Sequence, residues 1–131
     1  MTTTDQLPPD LAAFRDSYVK LFGSMPPLPG AKFESIAQID PESLRLVELQ
    51  RAHAFYSDVF DIKTTQLLLY GMLLHAGSPA AKFHALAARR AGASWQELQK
   101  VAELAAATAA SGPMNNGGSI LKELHSEEAK G

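Results

Sequence analysis

The sequence predicts an all-α fold, and three features carry that expectation. Apolar residues recur at spacings of three and four, as in Leu11, Phe14, Tyr18 and Leu21. Helix start and stop signals punctuate the chain: Asp40-Pro41, Gly77-Ser78-Pro79, Gly92, and Ser94 followed three residues later by Glu97. No stretch alternates apolar and polar residues with the period of two that a strand requires. The 131 residues fit a single domain, 1–131. A chain this long can bury roughly two-thirds of its unfolded surface, enough for a core without a covalent staple.

Taken in order, Met1 to Pro9 is expected to be a loose leader. It has no basic or apolar block of the kind that makes a signal peptide. Asp10 is the expected N-cap of the first helix, which Gly23 should end. Met25 to Gly30 holds three prolines and reads as a stiff connector. A short helix is expected over Ala31 to Gln38. Asp40-Pro41 opens another that should run to about Val59, because proline at the first turn gives up an N–H that has no partner there anyway. Its polar residues Arg45, Glu48, Arg51 and His53 spread around the wheel and name no buried face.

The centre of the chain is Asp61 to Gly112, expected to hold three helices joined by tight turns. The first, Lys63 to Ala76, is apolar on nearly every side, as helices enclosed by neighbours or neighbouring subunits are. At 100° per residue Gln66, Tyr70, Leu73 and Gly77 share a stripe, with His75 on the opposite side. The second, Pro79 to Ala91, places His84 as the one polar group among Ala80, Ala81, Ala87, Ala88 and Ala91. Lys82, Leu86 and Arg89 fall on its other face. The third starts at Trp95 behind a Ser94/Glu97 capping box. It should turn Leu98, Val101, Ala102, Ala105, Thr108 and Ala109 inward and stop at Gly112-Pro113. Asn115 to Gly118 reads as a turn, and Ser119 to about Glu127 as a last short helix.

Composition excludes several chemistries. There is no cysteine, hence no disulfide, thiolate catalysis, Cys-ligated zinc or iron–sulfur cluster. The net charge of −2, with no Lys/Arg cluster, gives nothing to recruit nucleic acid or acidic lipid. The longest apolar run, Leu67 to Leu74, is far short of the roughly 20 residues that span a bilayer. These features point to a cytoplasmic protein acting on a small molecule, with neither a nucleic-acid nor a membrane partner. No cofactor is expected, and no metal, since His75 and His84 lack a nearby carboxylate.

The central motifs resemble a known family. Phe60-Asp61-Ile62-Lys63-Thr64-Thr65-Gln66-Leu67-Leu68 is similar to the LDxKTRELI opening of the carboxymuconolactone decarboxylase and alkylhydroperoxidase D-like family. Phe83 to Ser94, which begins Phe83-His84-Ala85-Leu86, resembles its HxxxALxxGxT segment. Trp95-Gln96-Glu97-Leu98 resembles its helix start, and Gly112-Pro113 its GxP turn. The match covers residues 60–118. It implies an alkylhydroperoxidase D-like bundle of about six helices, assembled as a homo-oligomer such as a trimer or hexamer. Peroxidase members use a Cys-x-x-Cys pair with a Glu and a His. Decarboxylase members lack the thiols and use acid/base residues on a lactone acid. Here Ser78-Pro79-Ala80-Ala81 stands where the thiol pair would be, which excludes thiol peroxidase chemistry. Gln66 stands where the family has its proton-relay Glu. The loop before His84 is about one residue shorter than the family's.

From these residues the expected catalytic pair is His84 and Gln66. Histidine titrates near neutrality and can move a proton, and Gln66 can hydrogen-bond a ligand or tie two helices together. Tyr70, His75, Arg51 and Asn115 are the expected substrate-binding residues. Two functions follow. One is a cysteine-free, decarboxylase-like lyase acting on a small carboxylated ring or lactone. The other is a non-catalytic oligomeric binding protein of the same fold.

Overall fold

A computed structural model describes residues 7–131. The first six residues of the expected leader lie outside the described residues, and Pro9 of that leader already begins a helix. Six helices follow one another: α1 Pro9–Phe22, α2 Pro27–Ile39, α3 Pro41–Phe55, α4 Ile62–His75, α5 Ala81–Arg90 and α6 Trp95–Lys130. The described residues contain no strand, so the fold is all-α. No helix among them is long and apolar enough to cross a membrane.

Local chemistry sets most of the boundaries. The Asp40 side chain accepts from the Ser43 backbone N–H at 3.1 Å, and Asp61 accepts from Thr64 at 2.7 Å. Each satisfies a first-turn donor that has no carbonyl to meet. Gly23 and Gly92 close α1 and α5 with φ of 85° and 100°, a region that a Cβ disfavours. At α6 the Ser94 and Glu97 side chains each accept from the other's backbone N–H, at 2.9 Å in both cases. This reciprocal cap carries a small prediction. Ser94→Ala should lower stability by about 1 kcal/mol in chemical denaturation without changing the slope of the transition.

Three expectations give way here. Pro8, not Asp10, caps α1. Asp10 lies inside the first turn and pairs with Arg45 of α3, whose guanidinium holds the carboxyl below its ordinary range. The proline-rich stretch is not a connector but the start of α2, with Pro27 and Pro29 in its first turn. Their missing N–H groups lie where no helical acceptor exists, and the first helical bond arrives with Gly30 N–H on Pro26 O at 2.9 Å. Helix α3 stops at Phe55 rather than near Val59, and Tyr56 leaves the helical path as its C-cap.

The largest correction concerns α6. No stop occurs at Gly112-Pro113 and no turn at Asn115 to Gly118; one helix of 36 residues continues to Lys130, a length of about 54 Å. Pro113 and the glycines weaken this helix, but strong helix formers flank them on both sides. The Thr108 and Ser111 hydroxyls bond the Leu104 and Ala107 carbonyls one turn back, so the polar groups near the proline are engaged. Pro113 lacks an N–H, so the Ala109 carbonyl has no helical donor, but α6 has left the bundle by this point and the chain has no packed surface to turn toward. Beyond Ala105 every residue except Gly117 is exposed. Leu98 is buried and Val101, Ala102 and Ala105 are half-buried, but Thr108 and Ala109 are exposed instead of turned inward.

Packing divides into two clusters. Leu11, Tyr18, Phe22, Phe33, Leu44 and Ala87 form the larger one, where α1 meets α2, α3 and α5. Ala88, Ala93 and Leu98 form the second, with Leu67 and Tyr70 of α4 against them. The small residues of α5 therefore let it approach α1 on one side and α4 on the other. Helix α4 is less enclosed than expected: Gln66 is its one buried residue, and Leu68 and Met72 are exposed.

Candidate functional site

The most unusual part of the interior is polar. Glu48 and Gln66 are both fully buried, at 0% exposure, and they belong to one chain of contacts. Helix α3 builds its first half. Leu44, Glu48, Arg51 and Phe55 fall at intervals of four, three and four, which is one face of a helix. Leu44 packs in the core, so the same face carries Glu48 and Arg51 inward.

The Tyr18 hydroxyl of α1 donates to the Glu48 carboxylate, with its oxygen 2.9 and 3.0 Å from the two carboxylate oxygens. Lys32 of α2 donates to the same carboxylate and, at 2.9 Å, to the Tyr18 oxygen. Arg51 is 3.9 Å from Glu48. Its guanidinium stacks 3.8 Å from the Tyr18 ring centre and donates to the Tyr56 hydroxyl at 3.1 Å. Burial pushes the Tyr18 hydroxyl well above the ordinary tyrosine range and also raises that of Tyr56, so both remain neutral.

The second half runs from Tyr56 to His84. Gln66 Nε2 donates to the Tyr56 hydroxyl at 3.4 Å, a long contact. Gln66 Oε1 lies 2.7 Å from His84 Nδ1. With the amide oxygen facing it, Nδ1 carries the proton and Nε2 carries the lone pair. Among the described residues Nε2 has no hydrogen-bond partner, and no buried side-chain nitrogen or oxygen is left unpaired. The Phe22 ring meets the imidazole edge-on at 5.5 Å. Burial first, and the Arg51 charge second, lower the His84 pKa from 6.5 to about 4. The imidazole is therefore neutral at pH 7, a proton acceptor rather than a cation.

This shift predicts how stability depends on pH. The folded pKa lies below the unfolded one, so the fold favours the neutral ring. Its contribution is complete above about pH 6.5 and is lost as pH falls toward about 4. Allowing for solvent screening of a half-buried ring, the loss is about 2 kcal/mol. His53, His75 and His125 are all exposed. His84→Asn should therefore remove the histidine's share of the decline in urea-derived stability between pH 6.5 and 4, and a profile unchanged from wild type would refute the assignment.

Beside this chain opens a cleft of about 1110 Å³. It is lined by Ser17, Lys20 and Leu21 of α1, by 55–58 and 60–62, by Thr65, by Ala87 and Arg90 of α5, and by Ala91, its C-cap. Tyr56 belongs to both the cleft wall and the buried network. His84 does not line the cleft, although Ala87 and Ala91 continue its stripe along α5.

The structure brings together three of the residues expected from sequence: His84, Gln66 and Arg51. The other three stand apart. Tyr70 packs against the Ala88, Ala93 and Leu98 cluster, which is a core role. His75 is exposed in the last turn of α4, on the side away from Gln66. Asn115 is exposed on the projecting half of α6 and lies outside the cleft. Four members were not among the expected site residues: Tyr18, Lys32, Glu48 and Tyr56. Leu44, Glu48 and Arg51 at helical spacing were a usable signal, since the apolar residue marks the face the charged ones share. Tyr56 had none, because its position follows from where α3 ends. Among the described residues no three of His, Cys, Asp or Glu converge as a metal site. Compared with protein-family models, with curated proteins and with solved structures, the chain matches none of them.

Proposed function

We infer that the protein is a cysteine-free, carboxymuconolactone decarboxylase-like enzyme acting on a small carboxylated ring or lactone, in which His84 Nε2 accepts the carboxyl proton as the C–C bond to CO2 breaks and returns it to the carbon that CO2 leaves. One observation carries this reading: the 2.7 Å contact that fixes His84 Nδ1 on Gln66 and leaves Nε2 with its lone pair. A base held in one tautomer by a neighbouring group is the arrangement that general base chemistry needs. Gln66 cannot itself carry the proton. It acts as an orienting group, held in turn through Tyr56 by Arg51.

The resemblance over residues 60–118 supplies the substrate class, and the juxtaposition of Gln66 with His84 is what that resemblance would require of the two positions. Exposed apolar residues support a homo-oligomer, a trimer or hexamer in that family. Leu46, Val47 and Leu49 on α3, Met72 on α4, and Ile120, Leu121 and Leu124 on α6 all lie open in the single chain. The test is decarboxylation of 4-carboxymuconolactone by wild type against His84→Ala.

A second reading has its own observation. The cleft wall contains Tyr56 but not His84, as in a protein of this fold that binds a small molecule without transforming it. Saturable binding with no turnover would favour it.

A further inference from the structure

We propose that the cleft between α1, α5 and the 55–62 segment is a second site, separate from His84, that takes an uncharged molecule with a flat aromatic body. The site stands whether or not His84 turns over a substrate, because His84 does not line the cleft.

The polar groups of the wall are already spent on the chain itself. Arg90 donates to the Leu21 and Lys20 carbonyls at 3.2 and 3.3 Å. Asp61 accepts from the Thr64 backbone N–H at 2.7 Å. The Ser17 hydroxyl donates to the Phe14 carbonyl at 2.6 Å, and the Ser57 hydroxyl accepts from the Val59 N–H at 3.4 Å. The Tyr56 hydroxyl is engaged by Arg51 and Gln66, neither of which lines the cleft. Of the charged wall residues Lys20 and Asp58 remain, both exposed and of opposite sign. A charged ligand would shed its water here and meet no net opposite charge in return, a cost that an uncharged one avoids.

The surface that remains is apolar. Phe55, Phe60 and the Tyr56 ring offer aromatic area, and Leu21, Ile62 and Ala87 aliphatic area. Phe60 and Ile62 are 55% and 53% exposed, so water covers apolar surface that a ligand would release. Thr65 adds a neutral hydroxyl, suited to an uncharged oxygen. The cleft, at about 1110 Å³, lies at the upper end of the roughly 300–1,000 Å³ typical of small-molecule sites. It has room for more than one ring.

Three probes with one ring system and different charges at neutral pH test this by calorimetry on the whole chain: 2-naphthalenemethanol, 2-naphthoate and 2-naphthylmethylamine. The alcohol should bind saturably, and the anion and the cation each about 10-fold more weakly. Phe60→Ala removes a wall residue that is open to solvent, so the fold should survive, and should weaken the alcohol about 10-fold. Ile62→Ala should act in the same direction. Lys20→Gln and Asp58→Asn should leave the alcohol's affinity unchanged, as should His84→Asn, which separates this site from the catalytic reading. Four results would overturn the proposal: no saturable binding of the alcohol, a charged probe binding as tightly as the alcohol, Phe60→Ala binding like wild type, or affinity that falls as protein concentration rises because a second copy fills the cleft.

Discussion

Glu48→Ala is expected to destabilise the protein by about 3–5 kcal/mol, seen as a melting temperature lower by roughly 10–20 °C. The carboxylate is completely buried, and three groups depend on it. Tyr18 loses the acceptor for its proton, Lys32 loses its counterion, and Arg51 loses the nearest opposite charge. The Lys32 and Arg51 side chains are only 23% and 14% exposed, so water replaces little of what is removed. Two like charges would then face each other across a small cavity. The effect should come from charge more than from volume, and two further variants separate these causes. Glu48→Gln keeps an acceptor for Tyr18 and fills the space, yet should still cost a large part of the loss. Lys32→Met in the Glu48→Ala background removes one stranded cation and should recover part of it. A Glu48→Ala protein within about 1 kcal/mol of wild type would mean that water reaches the cluster freely.

The same cluster shows which parts of the protein could be read from sequence. Helix starts were legible at Asp40 and Ser94, where a side chain does the capping, because the signal is local and chemical; Asp61 caps α4 in the same way, yet the expected helix starts at Lys63. The stripe of small residues around His84 on α5 was legible for the same reason, since periodicity places neighbours on one face of a single helix. Stops were less legible. Gly92 ends α5 where the chain must turn back onto α6, yet Gly112 and Pro113 end nothing: a proline weakens a helix but does not itself supply packed surface to turn toward. The prolines of α2 were misread from the other direction: three in four residues look prohibitive until the first one is recognised as the N-cap and the next as the first helical residue. The polar network was the least legible. It draws on α1, α2, α3 and the residue after α3, and no spacing within one helix says that Tyr18, Lys32 and Glu48 will meet. Sequence could pair Gln66 with His84 through a family resemblance. It could not say that a buried ion cluster stands behind them.

His84→Ala is expected to lower the rate of 4-carboxymuconolactone decarboxylation 10²–10⁴-fold, the range by which a positioned acid or base accelerates proton transfer. The fold should survive, because the ring is half-buried and Ala81, Ala87 and Ala88 carry the packing of α5. Gln66→Ala should cost less than His84→Ala. It removes the group that holds the tautomer but leaves the base itself, so turnover would fall with the fraction of rings presenting a bare Nε2. The pH profile adds a signature that misfolding cannot imitate. A base of ordinary pKa would lose activity as pH drops through about 6.5. His84, desolvated and close to Arg51, should stay unprotonated further down, with kcat/KM of the free enzyme flat to about pH 5 and falling through about 4. Placing a carboxylate beside the ring, as Gln66→Glu does, should raise that acid limb toward neutrality, since a neighbouring negative charge favours the imidazolium. Movement of the limb in that direction would tie the observed rate to this one ring. A limb that ignores Gln66→Glu, or a His84→Ala rate equal to wild type, would leave His84 no part in the chemistry and return the cleft to a purely binding role.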